Sequence, residues 1–192
     1  GEGEVFYKGE YQPSIDVFEK LNIKPIELAE KEALALMNGT AVMTAIACKV
    51  FTQASYLAKL SSRITSLASL GLLANSTHFN EAVFRAKPHY GTTQVAKWIR
   101  NDLALSFESK SLTRLQDRYS IRCAPQSIGV RVDALESFRG IVEIELNSAN
   151  DNPLIDIENE EVLHGGNFYG GHIAFVMDSL KILVANIADL MD

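Results

Sequence analysis

Between residues 40 and 73, apolar side chains return every third or fourth position, at Val42, Ala45, Ile46, Val50, Ala54, Leu57, Leu60 and Ile64, with no proline and no glycine before Gly71. That period marks one face of an α-helix. More than thirty residues is long for a globular helix and points to a bundle. The same spacing recurs over residues 26–37, 93–106 and 128–146, and from Ile173 to the end. A shorter helical stretch covers residues 15–21, with Ser14 as its N-cap. Polar and glycine-rich segments separate these runs. They are residues 1–12, with Gly1, Gly3 and Gly9, then Asn38-Gly39-Thr40, Lys87-Pro88-His89-Tyr90-Gly91, the polar residues 108–119 leading to Pro125, and residues 147–161 with the turn signal Asp151-Asn152-Pro153. Gly165-Gly166 and Gly170-Gly171 bracket the stretch before the last helix. Strand-like alternation is scarce and no internal repeat is visible. The pattern predicts an all-α fold, a bundle of long helices forming one domain over residues 1–192 with no separate second domain.

Composition narrows the class. At 192 residues and 47% hydrophobic, the chain can bury a sizeable core. Its net charge is −6, with acidic and basic residues interleaved, so nothing attracts a phosphate backbone and nucleic acid is set aside. The two cysteines, Cys48 and Cys123, stand far apart and read as buried free thiols in a reducing compartment, which suggests the cytoplasm. No unbroken apolar run is long enough for a membrane span. The sequence starts without Met and stops inside an amphipathic pattern with no helix-stop signal, so we expect a central section of a larger protein.

The chemistry begins with what is missing: no P-loop, no dinucleotide-binding glycine fingerprint, no H-E-x-x-H and no G-x-S-x-G. The histidines, His78, His89, His164 and His172, show no metal-ligand spacing, so no metal is expected. What remains is polar chemistry at helix breaks. Asn38-Gly39-Thr40 is a turn, with Thr40 capping the next helix. Gln116, Tyr119 and Arg122 recur every three residues and on a helical turn share one face. A guanidinium there could take a carboxylate bidentately, although a solvated polar face explains the same spacing. Asn147, Asn150, Asp151 and Asn152 form a dense hydrogen-bonding turn. Phe168 follows the bare backbone of Gly165-Gly166, which is either a pocket wall or a hinge.

Together these segments resemble the aromatic amino acid ammonia-lyases, the family of the histidine, phenylalanine and tyrosine ammonia-lyases. Residues 31–40, KEALALMNGT, resemble the family's KEGLAL-x-NGT. Residues 116–123, QDRYSIRC, followed by Pro125-Gln126, resemble QDxYSLRC. Residues 145–154, ELNSANDNPL, resemble E-x-NS-x-(N/T)DNPL, and residues 164–168, HGGNF, resemble (H/S)GGNF. Lys87-Pro88-His89 is similar to RPHxGQ, with Lys87 for Arg and Thr92 for Gln. The order and spacing agree over nearly the whole chain.

The resemblance implies a fumarase/aspartase-like helical lyase core, here partial, from an enzyme that eliminates ammonia from an aromatic L-amino acid to give an arylacrylate. It implies an electrophile, methylidene-imidazolone (MIO), which the family makes from an internal Ala-Ser-Gly. It implies that Asn38 hydrogen-bonds the imidazolone oxygen, and that Tyr119 lies by the electrophile and the amino group. Gln116 lines the same site, Arg122 clamps the substrate carboxylate, Asn152 lies near that carboxylate, and Phe168 lies beneath the electrophile ring. It also implies a homotetramer whose sites gather residues from three subunits, so apolar stripes would be exposed on one chain alone. No Ala-Ser-Gly occurs among these residues, so we expect the isolated chain to be inactive. A non-catalytic assembly module derived from the family, or a section of an MIO-dependent aminomutase, remain open alternatives. The wording at residues 152–156 and 164–168 is closer to the phenylalanine/tyrosine type than to the histidine type. It lies beside the pocket and does not choose the ring.

Overall fold

The computed structural model describes residues 2–104 and 115–192; the expected end of one helix at Ser106 and most of the polar stretch before Gln116 lie outside the described residues. The chain divides into two compact units, Gly1–Asn38 and Gly39–Asp192.

In the first unit, strands β1 (Glu4–Tyr7) and β2 (Glu10–Pro13) pair antiparallel, with Val5 opposite Gln12 and Phe6 opposite Tyr11. The sequence reading had this segment as loop. Lys8 and Gly9 take φ of 51° and 92°, the two positive angles that a tight hairpin turn needs and that glycine adopts without strain. Helix α1 (Ser14–Leu21) packs on both strands. Ser14 is its first helical residue rather than its cap, and its N–H donates to the Gly3 carbonyl at 2.9 Å. Helix α2 covers only Glu32–Asn38, not residues 26–37. The apolar side chains of the missing part, Ile26 and Leu28, are exposed. Helical spacing without a surface to bury against does not hold a helix.

The second unit is a bundle of four long helices, α3 (Ala41–Gly71), α5 (Tyr90–Ala104), α7 (Ala124–Leu146) and α8 (Gly171–Met191). Helix α7 packs against the other three, and α3 also packs against α5 and α8. Short helices α4 (Glu81–Arg85) and α6 (Tyr119–Arg122) fill the connections, as does a 3-10 turn at Ser76–Phe79. A second hairpin, β3 (Leu154–Asp156) with β4 (Glu161–Leu163), interrupts the polar segment before α8. Among the described residues the fold is all-α apart from these two small strand pairs, as the periodicity predicts.

The face of α3 that is buried in this chain is not its apolar stripe. Val42, Ile46, Val50, Leu57 and Ile64 of the predicted stripe are exposed. The buried face is built of small and hydroxyl residues, including Ala47, Ala54, Ala58, Ser62, Thr65 and Ser69. Small side chains let the neighbouring backbones approach. Their hydroxyls return to the helix itself: Thr65 donates to the Ser61 carbonyl at 2.9 Å and Ser69 to that of Thr65 at 2.7 Å. The exposed stripe and α8 enclose an apolar groove of about 710 Å³, lined by Val42, Ile46, Val50, Met177 and Val184 among others. Among the described residues, α3 is the one helix long and apolar enough to cross a membrane, a feature that a search for unbroken apolar runs passes over. Its packed face belongs to the bundle core.

Two further points concern the interior. Arg131 of α7 is fully buried, and its Nη2 donates to the Ala54 carbonyl of α3. Its Nε and Nη1 have no partner among the described residues. Burial holds this guanidinium below its ordinary pKa. Cys48 and Cys123 are free thiols, but both are half-buried rather than buried.

Candidate active site

The motif residues 116–122 do not form one helical turn. Arg118 is extended, with φ −58° and ψ 154°, and α6 starts only at Tyr119. Gln116 therefore lies before the helix, and only Tyr119 and Arg122 share its face. The physical reason is tertiary. The backbone N–H of Asp117 donates to His78 Nε2 at 3.1 Å, and its carboxylate accepts the Asn75 N–H at 2.6 Å. These bonds take Asp117 out of any helical ladder. Ile121, 6% exposed, anchors α6 in the core. Tyr119 on the same turn is 68% exposed. Arg122 is half-buried, and its Nε donates to the Asp117 carbonyl at 3.4 Å.

The other motif residues gather beyond the far end of α7. Its last carbonyls are taken by side chains of the turn that follows. Asn147 Nδ2 donates to Glu143 O at 2.7 Å, Ser148 Oγ to Ile144 O at 2.5 Å, and Asn150 Nδ2 to Glu145 O at 3.0 Å. The dense turn read from sequence is thus a device that satisfies the orphan carbonyls of a helix end. Asn152 ties this turn to the glycine segment, because its Oδ1 accepts the Gly165 N–H at 2.7 Å. Asn167 Nδ2 reaches back to Ala149 O at 3.3 Å. Phe168, 45% exposed, is carried on that tied loop. A Cβ on Gly165 or Gly166 would meet almost nothing in this chain, so crowding within it does not explain the glycine pair.

The start of α3 is at the same end. Thr40 occupies the N-cap position, but its side chain makes no cap hydrogen bond. It is buried, and its hydroxyl donates to Glu145 Oε1 of α7 at 3.1 Å. That contact, which the sequence reading missed, links the NGT segment to the ELNS segment. Glu145 stands inside the quoted motif, and that was the available signal. A Cβ on Gly170 would meet the Met43 and Thr40 side chains, so the entry to α8 closes the group. Asn38 ends α2 in the first unit and is exposed.

The structure therefore sorts the predicted residues into two groups. Tyr119 and Arg122 precede α7, with Gln116 close by in sequence, and Asn152 and Phe168 follow it. Helix α7 has 23 residues, so its ends are about 35 Å apart at 1.5 Å per residue. One copy of this chain does not bring the two groups together. Among the described residues, no group of three or more His, Cys, Asp or Glu side chains could hold a metal ion.

The sequence profile described as aromatic amino acid lyase matches residues 1–192. The histidine ammonia-lyase of Bacillus subtilis (strain 168) is 40% identical over 195 residues, and that of Stigmatella aurantiaca is 35% identical over 195; both alignments cover 100% of this chain. The chain spans about 38% of the length of these curated relatives. Among solved structures, the Pantoea agglomerans phenylalanine aminomutase superposes with a TM-score of 0.86 at 35% identity, over 99% of this chain and 41% of that one. The histidine ammonia-lyase of Trypanosoma cruzi gives 0.86 at 34% identity, over 99% and 36%. The segments that carry the resemblance, their order, the fold and these matches agree, and the chain belongs to the aromatic amino acid lyase family.

Proposed function

We propose that these residues are the central section of an aromatic L-amino acid ammonia-lyase, and that a complete site forms only when the two ends of α7 meet counterparts on other copies. The observation that carries this reading is the division of the motif residues between helix ends about 35 Å apart. A homotetramer supplies such a meeting. The exposed apolar stripe of α3 and the groove beside α8 offer surface for it.

The residues suit the MIO group chemically. Each residue taken by itself has suitable chemistry: Asn38 has the amide donor that an imidazolone oxygen would need, and Phe168 has the apolar face that its ring would need. When bound, MIO supplies the electron sink that lets a weakly acidic β-proton and a poor amine leaving group depart. Arg122 takes the substrate carboxylate, with Asn152 beside it. Tyr119 lies by the electrophile and the amino group, while Gln116 lines the site. No Ala-Ser-Gly occurs in the chain, so these 192 residues alone do not catalyse the elimination. The half-buried free thiols suit a reducing compartment, and cytoplasmic location is part of the same proposal.

The test starts with the complete gene product. Mass spectrometry of peptides flanking residues 1 and 192 reports whether a modified Ala-Ser-Gly accompanies the chain. Ultraviolet absorbance then follows arylacrylate formation from histidine, phenylalanine and tyrosine side by side. The wording of residues 152–156 leans toward the last two, and the names of the curated relatives toward the first. Arylacrylate formed by the 192-residue chain alone would overturn the reading. A second reading, an aminomutase, is favoured by the likeness to the aminomutases of Pantoea agglomerans and Streptomyces globisporus. A β-amino acid product distinguishes it.

A further inference from the structure

His78 belongs to none of the family motifs, yet it bears on the segment that carries Arg122. It lies on the 3-10 turn Ser76–Phe79, and that turn is fixed in place. Phe79 is fully buried, Arg100 of α5 donates from Nη1 to the Phe79 carbonyl at 2.8 Å, and Asn75 Oδ1 accepts the Thr77 N–H at 3.0 Å. From this support, His78 Nε2 accepts the Asp117 N–H at 3.1 Å and stands 3.3 Å from Asp117 Oδ2. Both side chains are 11% exposed. The Asp117 carboxylate also takes the Asn75 N–H at 2.6 Å, and the Asp117 carbonyl accepts Arg122 Nε at 3.4 Å. N–H, carboxylate and carbonyl of Asp117 are thus all engaged, two of them by the turn and one by the arginine.

We propose that His78 is a positioning residue for the Arg122 carboxylate clamp, acting through Asp117. The inference rests on the ammonia-lyase reading, which makes Arg122 the group that meets substrate. A guanidinium on a four-residue helix would otherwise lose rotamer freedom each time it bound a carboxylate. Holding Asp117 from the rigid 3-10 turn removes part of that loss before substrate arrives. In this arrangement Nε2 is the acceptor that links the turn, through the Asp117 N–H, to the arginine.

The experiment compares His78→Leu and His78→Gln in the complete gene product. Leucine removes the acceptor; glutamine carries an amide oxygen to nearly the position of Nε2. For His78→Leu we expect KM for the amino acid to rise about tenfold with kcat within about twofold, because uniform ground-state binding is lost. Calorimetric affinity for the arylacrylate product should fall by the same factor. Affinity for the same aryl group without its carboxylate should not move. Hydrogen exchange of residues 115–123 should quicken. His78→Gln should restore all of these. If His78→Leu does not fold, His78→Asn against His78→Gln gives the same contrast, since Asn is one methylene too short to reach. Unchanged KM and exchange, or equal weakening of the ligand without a carboxylate, overturns the proposal. A wild-type protein that makes no arylacrylate from any of the three amino acids overturns the function reading instead, and the exchange rates then decide the positioning role alone.

Discussion

Replacing Gly129 by alanine tests the close crossing of α5 and α7. A Cβ at Gly129 of α7 would run into the backbone of Thr92 on α5 and come within 2.7 Å of its Oγ1. The facing Gly91 is equally closed, since its Cβ would meet the Gly129 carbonyl and come 2.9 Å from Asp133 N. The nearest of these obstacles are backbone atoms, which cannot turn aside, and the helices must part by about 1 Å to restore ordinary contact. Such overpacking costs about 1–3 kcal/mol. Parting also stretches the 2.6 Å bond from Gly91 N to Asp133 Oδ1, which forfeits about 1 kcal/mol. Alanine's better helix propensity returns about 1 kcal/mol. The net is a loss of about 2 kcal/mol, or roughly 4–8 °C in Tm for a protein of this size. Gly140, on the same helix, is the control. No atom lies within 4 Å of its would-be Cβ, so Gly140→Ala should leave Tm unchanged or raise it. Thermal unfolding of both variants at one protein concentration gives the answer. A Gly129→Ala protein as stable as Gly140→Ala would refute the close-crossing argument.

Two further outcomes follow from buried and turn charges. Arg131→Met should preserve or raise Tm while Arg131→Ala lowers it, because methionine fills the space without a desolvated charge and alanine leaves a cavity. The lowered pKa of Arg131 reflects desolvation of its charged form, the penalty that methionine would remove. A Tm for Arg131→Met well below wild type would contradict this. At the β3–β4 turn, the Asn159 side chain and then the Asn159 and Glu158 N–H groups hold the Asp156 carboxyl below its ordinary value. A depressed acid stabilises the hairpin above its unfolded pKa and loses that contribution as pH falls through its folded pKa. Asp156→Ala should therefore speed hydrogen exchange across residues 158–163 at neutral pH and make little difference in acid.

The chain alone determined the helices with long uninterrupted periods, α3, α5, α7 and α8, because a 3.6-residue repeat free of proline is a local property. It also carried the family, because motif order is written in one dimension. Elements that depend on a surface elsewhere were decided only in three dimensions. Residues 26–31 have helical spacing, but Ile26 and Leu28 stay exposed among the described residues, and the segment is non-helical. The hairpins rest on turn angles at Lys8 and Gly9 and on short pairings that periodicity does not register. The apolar stripe of α3 is legible as one helix face, yet the close packing in this chain uses the Ala, Ser and Thr face. Hydrophobicity says that a face will be covered but not by what, and the bundle selects small residues where backbones must approach. The shared face of Gln116, Tyr119 and Arg122 failed for a related reason. Asp117 is bonded to Asn75 and His78, about forty positions away, and those bonds outweigh the local helical option. The candidate site was legible as a set of side chains but not as a place, because the two ends of α7 are adjacent to their motifs in sequence and far apart in space.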